Sequence, residues 1–264
     1  MLGIWFRRLF STPLKPAGQP NFQSAPEQQF DLSGTKLIFR NPPQTTAVPR
    51  KIWPESLNLY TPSRFNEWPD GKGSTTTLFE NGWSYFDQPW GFGDIGGIAV
   101  QIIIQRLTPK YREIDSLFKK QEAIKLILNN SEEFRGTQNQ QLMDDYELRR
   151  KEMPFLEPPT LVVYPKTDDD LVEFRVNNHF WLVSQESGGI KGSWTRDYHL
   201  PIGDRHMLVI SMRATSYGEF YSDKHNVPQE CEKTVKAFME NVHVELSDEA
   251  KRQKEEALRR LDHH

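Results

Sequence analysis

The run from Gly96 to Arg106, GGIAVQIIIQR, constrains the fold of this chain more than any other stretch. Apolar residues occupy both faces of a strand built from it: Ile98, Val100, Ile102 and Ile104 on one face, and Ala99 and Ile103 on the other. A β-branched strand that is apolar on both faces is typical of the centre of a covered sheet. The sequence therefore predicts a central strand here that is buried on both sides.

The composition is that of an ordinary globular protein and argues against several classes. The chain has 264 residues, of which 36% are hydrophobic and 26% charged, and its net charge is −3. This length suits one large domain or two small ones, and the near-neutral charge gives no electrostatic case for a nucleic acid partner. The single cysteine, Cys231, excludes an intramolecular disulfide framework, which is consistent with a cytoplasmic location. No apolar run approaches the roughly 20 residues that span a bilayer.

The first ten residues, MLGIWFRRLF, place apolar side chains around a basic pair. They do not form a secretory signal, because the basic pair follows the apolar residues. One interpretation is an arm that contacts a membrane surface or a partner protein through Trp5, Phe6, Arg7 and Arg8. The other is an arm that packs on its own domain. The absence of acidic residues before Glu27 also resembles an organelle transit peptide, and the prolines of residues 11–29 predict an extended linker.

An α+β module is predicted for residues 30–153. Its predicted strands are Thr35–Arg40, Ser56–Thr61, the hairpin Thr75–Phe79 and Trp83–Phe86, and the central strand. The hairpin prediction rests on the Asn81-Gly82 pair between two strand-like segments. Thr108-Pro109 is a helix-start signal, and apolar spacing predicts a helix over Tyr111–Leu128. A loop with one short helix around Leu142–Arg149 should follow.

A second module is predicted for residues 154–247, after a break rich in proline. Its five predicted strands are Leu161–Tyr164, Leu171–Val176, Phe180–Gln185, Ser193–Leu200 and Met207–Arg213. Short connections require antiparallel neighbours, so these strands should form a meander. A helix over Pro228–Glu240, a strand over Val242–Leu246 and a charged helix over Asp248–Leu261 complete the chain.

The predicted fold class is therefore α+β, with antiparallel sheets and packed helices. The predicted parts are an arm and linker (1–29), two modules (30–153 and 154–247) and a charged C-terminal helix (248–264). In both modules a Gly-Asp turn leads into a long apolar strand that ends in an arginine, Arg106 or Arg213. This likeness is the basis for an interpretation as two related modules.

Residues 161–246 resemble the Mog1/PsbP-like domains, which include the DcrB group. The resemblance is carried by the meander, by Leu200-Pro201-Ile202-Gly203-Asp204 leading into Met207–Arg213, and by the helix and strand that follow. It implies a binding protein, because members of that fold are mostly binding proteins, among them chaperones of bacterial secretion effectors. It carries over no catalytic residue.

Motifs with a chemical meaning occur here in the wrong context. Gly91–Gly96 matches GxGxxG, but a strand follows it where a dinucleotide site needs a helix. The histidines lack the spacing of a metal site, and His199 and His206, which flank one turn, are interpreted as surface imidazoles. Cys231 lies on the apolar face of its helix and should be buried and unreactive. We therefore predict no catalytic residue, no metal ligand and no cofactor.

Aromatic residues in loops are the candidates for a binding surface: Trp68, Trp83, Tyr85, Phe86, Trp90 and Phe92. Such side chains stack on sugars or form hot spots for a protein partner. The alternative is that they close the ends of the sheet as part of the core.

The leading hypothesis from the sequence is a non-enzymatic protein that binds another protein, in a role such as bacterial immunity protein or effector chaperone. One alternative is an enzyme such as a hydrolase, for which a pocket with two or three converging titratable groups is expected. A second alternative is a peripheral membrane protein attached through residues 1–10. The oligomeric state is left open.

Overall fold

The structure is a computed structural model that describes residues 8–45, 51–52, 55–88, 93–188, 192–216 and 225–261, with only the backbone at residues 51, 52 and 261. The strands in these residues are β1 (Glu27–Leu32), β2 (Thr35–Arg40), β3 (Lys51–Ile52), β4 (Ser56–Leu57), β5 (Asn66–Glu67), β6 (Gly73–Tyr85), β7 (Gly96–Leu107), β8 (Val172–Val176), β9 (His179–Ser187), β10 (Trp194–Gly203), β11 (His206–Ser216) and β12 (His243–Glu245). The α-helices are α1 (Lys120–Ser131), α2 (Thr137–Arg150), α3 (Val227–Glu240) and α4 (Asp248–Leu261). The predicted α+β class is confirmed. In the described ranges no helix is both long and apolar enough to cross a membrane.

The larger sheet has the strand order β3-β6-β7-β11-β10-β9-β8, with β5 paired to β6. Strand β7 lies inside this sheet and pairs antiparallel with β6 and with β11. Its first face is fully buried from Ile98 to Ile104, and its second face, which carries Ala99 and Ile103, is half-buried. The predicted central strand is confirmed, because neighbours on both edges and packing on both faces surround it.

The predicted meander is confirmed as β8, β9, β10 and β11, which pair antiparallel in succession. The expected strand at Leu161–Tyr164 is reduced to a single bridge between Val163 and Ser187. Since β7 pairs with β11 along eleven residues from Gly96 to Arg106, strands from both predicted modules lie in one sheet. Side chains from both modules also share one hydrophobic core.

That core lies between one face of the larger sheet and a second layer. The second layer consists of α3 and the smaller sheet, whose strand order is β12-β2-β1-β4. The ring of Phe39 on β2 lies 4.8 Å from Phe79 on β6 and 5.6 Å from Phe238 on α3. Helix α1 covers part of the opposite face of the larger sheet, where Leu126 and Ile127 pack near Leu182 and Val209. The fold therefore has three layers, with the larger sheet in the middle.

The predicted hairpin across Asn81-Gly82 is wrong, because β6 continues through both residues and pairs with β7 from Gly73 to Tyr85. The side-chain amide of Asn81 is buried and donates to Oδ1 of Asn41 at 2.8 Å and to the carbonyl of Pro42 at 3.0 Å. In an exposed turn the Asn81 amide would hydrogen-bond to water. Here the two buried acceptors take that role, so the Asn-Gly pair is accommodated inside a strand.

The helix predicted over Tyr111–Leu128 begins only at Lys120. The hydroxyl of Thr108 accepts from the N–H of Lys110 and donates to the carbonyl of Gly71, but turns rather than a helix follow it. Turns fill the segment before α1, although the predicted apolar residues Ile114 and Leu117 are buried.

Three further predictions differ in extent from the structure. Residues 131–141 were expected as loop, yet a π-helical turn at Glu132–Gly136 joins α1 directly to α2. The strand expected at Ser56–Thr61 is limited to Ser56–Leu57. The predicted linker ends at β1, and its earlier part pairs Ala17 with Phe86. The described part of the N-terminal arm therefore packs on its own domain.

Candidate functional site

The candidate site is a cavity of about 470 Å³ beside the C-terminal end of α1. The π-helical turn and residues of β9 and β10 bound it. Its lining combines apolar with polar side chains: Trp68, Pro69, Ile127 and Phe134 among the apolar ones, and Gln105, Asn130, Ser131, Glu133, Arg135, Ser184, Glu186, Asp197 and His199 among the polar ones. A cavity of this size, in which polar groups converge beside apolar walls, is typical of binding sites. We call it the α1 pocket.

Strand alternation builds the polar floor of the α1 pocket. Asp197 and His199 are two residues apart on β10 and therefore share one face of the sheet. Ser184 lies on β9 directly opposite Asp197. The Ser184 hydroxyl lies 3.0 Å from Nε2 of His199, and the hydroxyl of Ser211 on β11 donates to the carboxyl of Asp197.

Burial shifts the proton equilibria of this floor. It lowers the pKa of the His199 imidazole to about 4, although the charge of Glu186 acts in the opposite direction. Burial also raises the pKa of Asp197 above its usual value, against the hydrogen bond from Ser211 and the charges of Arg135 and Arg213. Both shifts favour the neutral forms, because a low-dielectric environment penalises charge.

Two atoms of this floor have no hydrogen-bond partner among the described residues. They are Oδ1 of Asp197 and Nδ1 of His199, and both are shielded from solvent. A buried polar group without a partner costs about 1–3 kcal/mol. Such groups call for an explanation in a native structure, and a functional role is one of the usual ones.

The rim of the α1 pocket is set by the π-helical turn. Arg135 forms an ion pair with Glu186, with 2.6 Å between the charged atoms, and its guanidinium lies 4.6 Å from the ring centre of Phe134. Phe134 is 66% exposed. Trp68 forms another wall and is half-buried. Two aromatic side chains and one ion pair therefore frame the entrance, and π-helical turns occur often at functional sites.

An exposed arm continues from this rim. We call residues 137–163 the α2 arm, because they comprise α2 and the extended segment after it. None of the residues of α2 is buried. The segment is held against the helix by Asn139, whose side-chain amide bonds to both backbone polar groups of Val162. Large apolar side chains are nevertheless exposed along the arm: Leu148, Met153, Phe155, Leu161 and Val163.

The structure separates the aromatic residues that the sequence grouped together. Trp83 and Tyr85 lie in the core, with 1% and 0% of their surfaces exposed. Strand alternation turns both towards α3, where the Tyr85 hydroxyl hydrogen-bonds to Thr234. Neither side chain therefore lies on a surface that a partner could contact in the folded protein. Trp68 lines the α1 pocket.

Of the other aromatic residues in that prediction, only Phe86 is described by the structure. Phe86 lies under Arg8, whose guanidinium is 4.1 Å from the ring centre. This contact holds the N-terminal arm against its own domain. The predicted binding residues outside the described ranges are Trp90, Phe92, Trp5, Phe6 and Arg7.

The interpretation of His199 and His206 as surface imidazoles is wrong, because both are buried. Nε2 of His206 bonds to the carbonyl of Leu59 at 3.1 Å, whereas His199 bonds to Ser184. Cys231 is buried as predicted, and burial raises the pKa of its thiol to about 12. In the ranges that the structure covers, no group of three or more His, Cys, Asp or Glu side chains could hold a metal ion.

Sequence reasoning missed the convergence of Ser184, Asp197 and His199. A signal was present, since Asp197 and His199 alternate with Tyr198 in a predicted strand. Polar residues at every second position of an inner strand mark a polar patch on one face. The pattern does not predict which helix packs on that face of the sheet, or at which residue that helix ends.

Comparison of the chain with protein-family models, with curated proteins and with solved structures gives no match. The function is argued below from the geometry of the pocket and of the arm.

Proposed function

We propose that the protein binds another protein through the α1 pocket and the adjoining α2 arm. One observation carries this proposal: large apolar side chains are exposed both at the pocket rim and on the arm. Phe134 at the rim is 66% exposed, and Phe155 on the arm is 98% exposed. Exposed apolar patches mark interaction sites.

The architecture of the arm supports a protein partner over a small molecule. A helix without buried residues gains little from packing, and short isolated helices are marginal in water. The hydrogen bonds from Asn139 to Val162 and from Tyr146 to the carbonyl of Leu156 still hold the two segments of the arm together. The arm is thus an ordered, solvent-exposed surface. We infer that a partner side chain enters the pocket while the arm lies against the partner.

The finer role comes from the resemblance to Mog1/PsbP-like domains. That resemblance supports a bacterial chaperone of a secreted effector, or an immunity protein, as the kind of binding protein that this chain represents. The arrangement of β8–β11 followed by α3 has the element order on which the resemblance rests. The α1 pocket gives such a protein a place to receive one side chain of its client.

Site-specific crosslinking tests the proposal. A photoreactive benzoylphenylalanine at Phe134 or at Phe155 should capture the same partner in the cells that make the protein. The same residue at Tyr60, which is 57% exposed and distant in sequence, is the matched control. Once the partner is identified by mass spectrometry, Trp68→Ala should weaken its affinity tenfold or more, because truncating a hot spot costs about 2 kcal/mol. Equal capture at all three positions, or unchanged affinity of Trp68→Ala, would contradict the proposal.

A second candidate function is hydrolysis of an ester or amide, with Ser184 as nucleophile and His199 as base. The 3.0 Å contact between Ser184 and Nε2 of His199 favours it, because a nucleophile and its base must lie within hydrogen-bond reach. This candidate stands second because Nδ1 of His199 has no orienting partner in the described residues, and Asp197 bonds to Ser211 instead. A catalytic triad requires an acid at that nitrogen.

Covalent labelling separates the two functions. A fluorophosphonate probe should modify Ser184, located by peptide mass spectrometry, only if its hydroxyl is activated by His199. Ser187, an exposed serine on the same strand, is the internal control. Labelling at Ser184 that disappears in Ser184→Ala would favour the enzyme, and absence of labelling would leave binding as the function.

A further inference from the structure

We propose that the protein forms a two-fold symmetric dimer in which β8 of one copy pairs antiparallel with β8 of a second copy. In the described residues β8 is the last strand of the larger sheet, and only β9 pairs with it. Such an edge presents unpaired backbone N–H and C=O groups to another strand. Neither the α1 pocket nor the α2 arm includes a residue of β8, so the proposal does not rest on the protein-binding function.

The hairpin between β8 and β9 determines which backbone groups of β8 point away from the sheet. The two-residue turn Asn177-Asn178, with positive φ at both positions, joins Val176 to its partner His179. In such a hairpin the flanking pair is hydrogen-bonded, and bonded pairs alternate with non-bonded pairs along the ladder. The backbone groups of Glu173 and Arg175 therefore point outwards, and they bond to no other backbone group in the described part of the chain.

Three registers pair these outward groups with those of a second copy. Glu173 can lie opposite the second copy's Glu173, Arg175 opposite its Arg175, or Glu173 opposite its Arg175. The first two registers place like charges directly opposite each other, which destabilises a strand pair. The third forms the Glu173–Arg175 pair twice, as a two-fold axis requires, and each pair exchanges two backbone hydrogen bonds. Charge thus selects one register.

The apolar side chains of β8 are matched in that same register. Val172, Phe174 and Val176 alternate with the two charged residues and therefore share one face of the strand. Phe174 and Val176 pack against the core, whereas Val172 is 63% exposed. The two-fold axis places Phe174 opposite the second copy's Phe174, and Val172 opposite its Val176. Aromatic cross-strand pairs stabilise a sheet, and the dimer would also cover the exposed Val172 side chain.

The two charged side chains are placed to make these contacts. Arg175 is exposed, lies 5.1 Å from the ring centre of Phe180, and forms no ion pair with a described residue. Glu173 is half-exposed and pairs with Lys120 of α1, so in the dimer it would lie between two cations. Charged side chains, lysine above all, normally protect a sheet edge from pairing. Here the charges are opposite in sign and two residues apart, so β8 is complementary to itself.

Sedimentation equilibrium of the purified full chain, from micromolar to near-millimolar concentration, tests the proposal. The mass should rise from 30.9 kDa towards twice that value as the concentration increases. The dimer should be weak, because a strand of five residues buries less surface than a stable interface needs. A chain that remains monomeric over the whole range would overturn the proposal.

Charge reversal tests the register. Glu173→Arg and Arg175→Glu each place like charges opposite each other, so each variant alone should dimerise at least tenfold more weakly than the wild type. An equimolar mixture of the two variants should form a heterodimer, because every cross-strand pair then again joins an arginine to a glutamate. Arg64→Glu is the matched control, since Arg64 is exposed and precedes β5 near the other end of the sheet. Dimerisation that both reversals leave unchanged, or a mixture that stays monomeric, would overturn the proposal.

Disulfide trapping provides an independent readout of the same register. In Val172→Cys/Val176→Cys, each new cysteine lies opposite its counterpart in a non-bonded pair, where Cα atoms are about 4.5 Å apart and can be bridged. Mild oxidation should therefore give a covalent dimer. Val172→Cys alone should remain monomeric, because its two copies are not opposite each other. Equal crosslinking of the single and the double variant would exclude this register. None of these outcomes would bear on the crosslinking at Phe134.

Discussion

The Ser184 hydroxyl and Nε2 of His199 lie 3.0 Å apart on neighbouring strands beneath the end of α1. Both side chains are buried, and the imidazole has no other partner among the described residues. The serine therefore supplies the one hydrogen bond that offsets the burial of this histidine. Two consequences can be measured.

Ser184→Ala should lower the free energy of unfolding by about 1–3 kcal/mol, because it leaves both ring nitrogens of a buried imidazole unpaired. Urea denaturation monitored by circular dichroism measures this loss. Ser187→Ala, at an exposed position of the same strand, should change little. The double variant Ser184→Ala/His199→Leu should lose less than the sum of the single changes, because the unpaired imidazole is then gone. Additive losses would show that the contact does not couple the two side chains.

Acidification should destabilise the protein between pH 7 and pH 5. Burial lowers the pKa values of His199 and of His206 from 6.5 to about 4. Below pH 6.5 the unfolded chain therefore binds protons that the folded chain does not, and stability falls until about pH 4. Each histidine should contribute a loss of roughly 2 kcal/mol by pH 5.

The sign for Asp197 is opposite, because its folded pKa is raised. The contribution of Asp197 to the free energy of unfolding is fully present below pH 3.8, the pKa in the unfolded chain, and is lost as the pH rises through the raised pKa of the folded chain. It therefore offsets part of the stability that the two histidines lose on acidification. Urea titrations at pH 7.5 and pH 5.0 provide the measurement. His206→Gln should reduce the pH-dependent loss by about half, and Asp197→Asn should enlarge it. A wild-type stability that is equal at both pH values would refute the assignment of two neutral, buried histidines.

Gly73→Ala should disturb the wall of the α1 pocket. A Cβ atom at Gly73 would lie 2.4 Å from the ring of Trp68, so the indole must move. We expect lower crosslinking from Phe134, with a loss of stability of about 1–3 kcal/mol from overpacking. Gly93→Ala is the matched control, because its Cβ would meet nothing within 4 Å. If crosslinking is unchanged, Trp68 does not shape the entrance.

Cys231 should be inert in the folded protein. Burial raises the pKa of its thiol to about 12, and the thiolate is the reactive form. At pH 8 Ellman's reagent should therefore react slowly with the native chain, and with one thiol per chain in guanidinium chloride. Rapid reaction of the native protein would mean that α3 opens readily from the core.

Local sequence patterns predicted the strands and helices whose bounds depend only on residues that are close along the chain. The apolar run of β7, the spacing of α3 and the bounds of α4 are all readable from neighbours along the chain. The α1 start was misplaced because the carbonyls of Thr108 and Tyr111 accept from Arg205, a residue distant along the chain, and not from a following helical turn. The α1 pocket was missed for a similar reason. Its floor depends on the register that sets Ser184 opposite Asp197, and periodicity does not give a register between strands.

The Asn81-Gly82 pair shows how tertiary contacts override a strong local preference, and it also gives a decisive test. In a hairpin turn, Asn81 would be exposed and Asn81→Ala would cost little. In β6, its amide donates to Oδ1 of Asn41 and to the carbonyl of Pro42, both in a buried environment. Asn81→Ala should therefore lower the free energy of unfolding by about 2–3 kcal/mol, since it removes two buried hydrogen bonds. Urea denaturation of this variant, beside Asn58→Ala in an exposed loop as control, measures the difference. A cost no larger than that of the control would place Asn81 in a solvated turn and would break β6 into the hairpin that the sequence alone suggests.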